Sequence, residues 1–198
     1  MSKILVIGAR PLPFEKSNSL FALGLRTWHF VKPLLDDGHQ VYLFAGPIPP
    51  PKEFDKSQPK EEKTTKDKLT YHAIYDIELY FNPSYLQSIH DEFKPDCILG
   101  INTLPASVAS KITTDKPLWL DLNGALMTEG QARANLIGNN SSVTEFWEQE
   151  RICLQKGDIF STVSIPQKYM LLGELAAIKR LNQYTNSYKI QWSIISWL

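Results

Sequence analysis

Six short apolar runs, separated by segments long enough to be helices, govern what this chain can fold into. The first, Lys3-Ile-Leu-Val-Ile-Gly8, shows no polar alternation, the pattern of a strand covered on both faces. Runs at 41–45, 69–75, 97–101, 118–122 and 159–163 repeat that theme. Between them, Pro83–Phe93 reads as a helix with proline in its first turn, and helices are expected at 105–112, 127–136, 142–156 and 166–182. Parallel strands need crossover connections, and right-handed crossovers lay helices back on the sheet. The expectation is therefore an α/β fold, a Rossmann-like doubly wound parallel sheet with helices on both faces.

The first helix is expected after a loop, Ala9 to Lys16. Ser17, Asn18 or Ser19 can cap it, and Leu20, Gly24, Trp28, Val31 and Leu35 recur at helical spacing. Pro33 should kink or restart its last turn, and Gly38 supplies a left-handed stop before Val41. Residues 47–68 break the pattern, with five prolines, six lysines and five acidic residues. They read as a solvated, mobile insertion, a rim loop or a binding flap.

A length of 198 residues suits one domain. Residues 1–187 are assigned to it, and 188–198 form an apolar, tryptophan-rich tail. That tail is expected as a last strand or as an interface for a second copy or another protein. Twenty-one basic and 21 acidic residues cancel, so bulk charge draws the chain to neither nucleic acid nor anionic lipid. Cys97 and Cys153 lie in apolar surroundings and read as buried thiols of a reducing compartment. The start, Met1-Ser2-Lys3, leads into an apolar run too short for a signal core, and a cytoplasmic location is expected, with peripheral membrane contact left open.

Four landmarks recur in a definite order: Leu34-Leu-Asp-Asp-Gly-His-Gln-Val41, Lys94-Pro-Asp96, Lys116-Pro-Leu-Trp-Leu-Asp121 and Asp158-Ile-Phe-Ser-Thr-Val-Ser164. In this order the chain resembles the amino-terminal domain of GT-B glycosyltransferases, in particular the large retaining group. The resemblance covers roughly residues 3–182. It implies half of a two-domain enzyme, whose amino-terminal domain holds a sugar or lipid-linked acceptor. The nucleotide-sugar donor belongs to a second domain, so donor binding is expected only with that partner. No cofactor is implied.

Ligands of such sheets bind outside the carboxyl ends of the strands. The resemblance therefore directs attention to loops 9–19, 102–105 and 121–130. Their acceptor-side candidates are Arg10, Asn18, Asn102, Thr103, Asp121, Asn123 and Glu129. Arg10 alternatively reads as a solvated loop arginine, Asp121 as a turn cap and Glu129 as a helix-start carboxylate. The first loop carries only Gly8 where the family is glycine-rich, which weighs against phosphate contact from this half. Asn123 stands where many relatives carry histidine; it exchanges hydrogen bonds but takes no proton. No catalytic residue is assigned.

Two other functions fit less of the chain. A self-sufficient nucleotide-binding Rossmann enzyme needs Gly-x-Gly-x-x-Gly, and Gly8-Ala9-Arg10-Pro11 departs from it. A non-enzymatic interaction module on the same scaffold would act through the tail. Serine-hydrolase chemistry lacks its Gly-x-Ser-x-Gly elbow.

Overall fold

The computed structural model describes residues 1–15, 21–48 and 59–183. The tail at 188–198, Asn18 and residues 49–58 of the proline-rich stretch lie outside the described residues. The chain runs β1 (Lys3–Arg10), α1 (Ala22–Asp36), β2 (Gln40–Pro47), β3 (Glu61–Lys66), β4 (Leu69–Ile74), α2 (Ile77–Tyr80) and α3 (Pro83–Phe93). It continues through β5 (Cys97–Ile101), α4 (Thr103–Ala109), β6 (Leu118–Asp121), α5 (Leu126–Ile137), α6 (Ser141–Lys156), β7 (Ile159–Ser161) and α7 (Ile165–Ala177). The sheet order is β3-β4-β2-β1-β5-β6-β7, and only β3 is antiparallel to its neighbour. This is the Rossmann-like α/β architecture expected, with one strand more than the apolar runs announce.

Alternation along each buried strand divides the core in two. Leu5 and Ile7 of β1 join Phe44, Ile98 and Leu120 on one face, under α2, α3, α4, α6 and α7. Ile4 and Val6 join Leu43, Leu99 and Ile101 on the other, under Phe30 and Val31 of α1. Fully burying such a side chain stabilises the fold by roughly 1.5–3 kcal/mol.

Local chemistry ends the elements where the sequence suggests, with exceptions. Gly38 takes φ 84°, and Gly38 N and His39 N donate to Leu35 and Leu34 carbonyls at 2.9 and 3.0 Å, closing α1. Pro33 does not restart that helix, which runs through it as one element. The Asn82 side chain accepts from Tyr85 N at 3.1 Å and opens α3. At the start of α1 the cap position is Phe21, without a side-chain cap bond, so the helix begins later than the serine-rich stretch indicates.

The proline-rich stretch, expected as a loop over all of 47–68, differs at both ends. β2 extends to Pro47, and Glu61–Lys66 form β3, which pairs with β4 from Glu61↔Ile74 to Lys66↔Leu69. Its residues are almost all exposed, in keeping with a solvated stretch, but they form a strand and not a loop. Charges on an edge strand oppose pairing with another chain, and this explains how a strand can carry no apolar signal. The cysteines also separate: Cys153 is buried and burial pushes its thiol up to about 12, whereas Cys97 is only half-buried. Both are free.

Two ties at the opening rim of the sheet explain the sequence landmarks. Asp96 accepts from Lys3 N at 2.7 Å and Asp158 from Leu118 N at 2.8 Å, each aspartate fastening the first residue of a neighbouring strand. His39 Nδ1 accepts from Ser2 N at 3.2 Å in the same region. The landmarks are strand-entry devices.

Candidate functional site

The chain leaves β1 in one direction through β2 and β4, then returns to β5 on the other side of β1 and continues to β7. The reversal between β1 and β5 is a topological switch point, where loops part and leave a crevice. Three of the loops singled out above reach this carboxyl rim. Their side chains are used in different ways.

The loop after β1 closes on itself. The Arg10 guanidinium pairs with Glu15, donates from Nε to the Tyr71 hydroxyl at 3.3 Å and lies 4.1 Å over the Tyr75 ring. Tyr71 donates to Glu15 Oε1 at 2.6 Å, and burial together with that bond raises its pKa above the ordinary value. Phe14 meets Trp28 and Tyr71 edge-on, at 5.1 and 5.3 Å between ring centres. Arg10 is thus neither a free ligand contact nor a solvated arginine: it is a structural member of this cluster.

The same loop leans on the helix that follows. A Cβ on Gly24 would stand 1.9 Å from the Pro11 carbonyl oxygen, and one on Gly8 would stand 2.4 Å from Thr27 Cγ2. Thr27 Oγ1 accepts from Ala9 N at 3.0 Å and donates to the Leu23 carbonyl at 2.9 Å. The loop after β1 therefore packs on α1 with backbone against backbone, the Pro11 carbonyl over Gly24.

The loops after β5 and β6 meet each other. Asn102, 3% exposed, holds φ 71° and ψ 153°, a region nearly confined to glycine. Its Nδ2 donates to the Leu23 carbonyl and its Oδ1 accepts from Asn123 Nδ2, both at 3.3 Å. Two hydrogen bonds from two different elements hold the strained residue. Thr103, next in sequence, is buried, and its hydroxyl has no hydrogen-bond partner.

Asp121 ends β6 with no exposed side-chain surface. Arg26 of α1 grips it with two bonds, Nε to Oδ2 at 2.6 Å and Nη2 to Oδ1 at 2.7 Å, and Ser161 Oγ donates to it at 2.8 Å. Ser161 also accepts from Trp119 Nε1 at 3.0 Å. The turn-cap alternative is corrected accordingly, because the carboxylate joins α1, β6 and β7 across the sheet. Glu129 lies in the first turn of α5, exposed, in space that Gly124 leaves open at φ 99°; a Cβ there would meet Oε1 at 2.7 Å.

Residues that the sequence did not nominate complete this rim. Arg26 sits one turn inside α1, indistinguishable in sequence from a solvated helix charge. Glu150 of α6 is 1% exposed, and neither carboxyl oxygen has a partner. Burial first, then the carboxylates of Glu174 on α7 and Glu129 on α5, push Glu150 up to about 8. Burial raises Glu174 as well, and its Oε2 is also without a partner. Glu145, Glu148 and Glu150 follow one another on α6, the first two exposed, so no signal in the sequence sets Glu150 apart.

The structure therefore joins Asn102 to Asn123 by a hydrogen bond, with Thr103 adjoining. It pairs Asp121, two residues before Asn123, with Arg26. It assigns Arg10 to a separate cluster. No protein-family model matches the chain, and no curated protein matches it. Among the described residues no helix is long and apolar enough to cross a membrane.

Proposed function

We propose that this chain is the acceptor-holding half of a two-domain retaining sugar transferase of the GT-B type, incomplete in catalysis by itself. The observation that carries the reading is the contrast between the loop after β1 and the loops after β5 and β6. The loop after β1 is packed by its own backbone, with Pro11 against Gly24, whereas the segments after β5 and β6 carry the Asn102 and Asn123 amides and the buried, unpartnered Thr103 hydroxyl. Amide and hydroxyl groups exchange hydrogen bonds with sugar hydroxyls and transfer no proton. Asn102, Thr103 and Asn123 are the acceptor contacts in this reading. The donor's phosphates and the chemistry come from a partner domain.

Calorimetry on the full chain tests this directly. Uridine or guanosine diphosphate sugars should give weak heats without saturation, and the affinity for a sugar acceptor should fall about tenfold when Asn123→Ala removes one amide, a loss of about 1.4 kcal/mol. Tight, saturable binding of a nucleotide sugar by this chain alone would overturn the assignment.

A further inference from the structure

We propose that the open edge of β7 is the docking surface for this chain's own residues 188–198, which add to the sheet there as a further strand parallel to β7. The proposal stands independently of the acceptor reading.

The first support is the hand of the connections. From β5 through β6 to β7 the sheet grows outward strand by strand, each pair parallel, with Ala106 of α4 and Leu154 of α6 packed on the face that carries Leu120 and Phe160. Helix α7 returns over the same face, with Leu171 and Leu175 in the same core cluster. Connections between parallel strands of one sheet are right-handed almost without exception. A parallel strand following α7 therefore falls outside β7, where the sheet has no neighbour among the described residues. The exit of the chain agrees. After α7 the backbone turns at Lys179, φ 64°, and the Arg180 guanidinium donates to the Leu154, Gln155 and Gly157 carbonyls at 3.1, 2.6 and 2.9 Å. Gly157 lies two residues before β7, so the chain is held at the amino end of that strand when residues 184–198 begin.

The second support is what the two edges of the sheet carry. β3, at one edge, is Glu61-Glu-Lys-Thr-Thr-Lys66, whose charges oppose further pairing. β7, at the other, is Ile159-Phe-Ser161, without charge or proline. Ile159 is 46% exposed, and Val163, Ile165 and Tyr169 beyond it are exposed as well. Uncovered apolar surface beside an uncharged edge invites another strand. The tail has the matching pattern, because Tyr188, Ile190, Trp192 and Ile194 alternate with Lys189, Gln191 and Ser193. Such alternation marks a strand covered on one face and wet on the other, as an edge strand is, unlike the unbroken apolar runs of the buried strands. Docked in this way the tail closes the sheet and is not free to recruit another protein.

Amide exchange read by mass spectrometry on the full chain, with sedimentation to give the oligomeric state, tests the proposal. The chain should be a monomer, and amides of 188–195 should exchange at least about tenfold slower than those of an unstructured peptide of that sequence. Ile159→Lys puts a charge on the edge at an exposed position, and Trp192→Asp puts one on the apolar set of the tail without altering a described residue. In each variant exchange should rise about tenfold or more both at 188–195 and at 159–163, while β1 and β5 keep their protection. Should one variant not fold, the other decides. Tail amides of the unaltered chain that exchange as fast as the free peptide overturn the proposal. So does tail protection that a folded variant leaves unchanged, or protection lost when a dimer is diluted to monomer, which assigns the edge to a second copy.

Discussion

Replacing Glu150 by glutamine should stabilise this protein, and the gain should grow with pH. The carboxyl is 1% exposed, its oxygens are unpartnered, and its pKa is raised from 4.5 to about 8. In the folded state it therefore holds a proton that the unfolded chain has released. A group raised in this way contributes its stability in full below pH 4.5 and loses it as pH climbs towards 8. Each pH unit in that window is worth about 1.4 kcal/mol. At pH 7 the loss reaches about 3 kcal/mol, and above pH 8 it levels off near 5 kcal/mol, both upper bounds because water entering the site softens them. Glutamine has nearly the same volume and takes no proton. Urea unfolding of both proteins at pH 5, 6, 7 and 8 measures the difference between their stabilities. That difference should widen steadily from pH 5 to pH 8. A constant difference across the series would show that Glu150 is ionised and solvated in the fold, and the reasoning would fail.

Three further substitutions probe the rim. Arg26→Ala should cost about 3–5 kcal/mol in urea unfolding, because Asp121 is left buried with Ser161 as its remaining side-chain donor; a loss under about 1 kcal/mol would mean that water replaces the guanidinium. Gly24→Ala places a Cβ 1.9 Å from the Pro11 carbonyl oxygen and should lower stability by about 1–3 kcal/mol, although alanine is the better helix former; a gain would show that the loop after β1 is free to move away. Thr27→Val keeps the side-chain shape but strips the Ala9 N–H of its acceptor, so a loss of about 1–3 kcal/mol is expected, with faster amide exchange at Ala9.

The sheet was legible because its strands are buried on both faces and read as unbroken apolar runs. Strand β3 was not legible for the opposite reason. Its residues, Glu61-Glu-Lys-Thr-Thr-Lys66, face water at the sheet edge, and the turn that pairs them with β4 is Asp67-Lys68, not the usual Asn-Gly or Asp-Gly. Asp67 takes the required positive φ of 51°. Polar strand residues joined by an unusual turn leave no periodic trace. At the rim, strand-end residues such as Asn102 and Asp121 were found because chain order fixes where a strand stops. Arg26 and Glu150 lie inside helices, where a charge normally faces solvent. What buries them is the packing of α1 on β6 and of α6 on α4, contacts between segments far apart in the chain.

The landmarks that carry the family resemblance also act away from the site. Asp96 and Asp158 tie the openings of strands, at the rim opposite to Asn102 and Asn123. A chain can keep such ties for folding alone, so they argue for a scaffold and leave the activity to the carboxyl rim.

At that rim the protein treats two buried carboxyl groups in opposite ways. Asp121, the one the sequence puts forward, is fully engaged: Arg26 grips both oxygens and Ser161 adds a third bond, so removing it damages the joint between α1, β6 and β7. A carboxylate so engaged has no acceptor capacity directed at a ligand. Glu150 has neither a cation nor a donor, and its neighbours Glu174 and Glu129 make its ionisation harder. A side chain that only supported the fold would be replaceable by glutamine or leucine with a gain in stability. Glu150 is therefore a place where the fold carries a cost that glutamine would remove, unlike Asp121, whose removal opens the joint it closes.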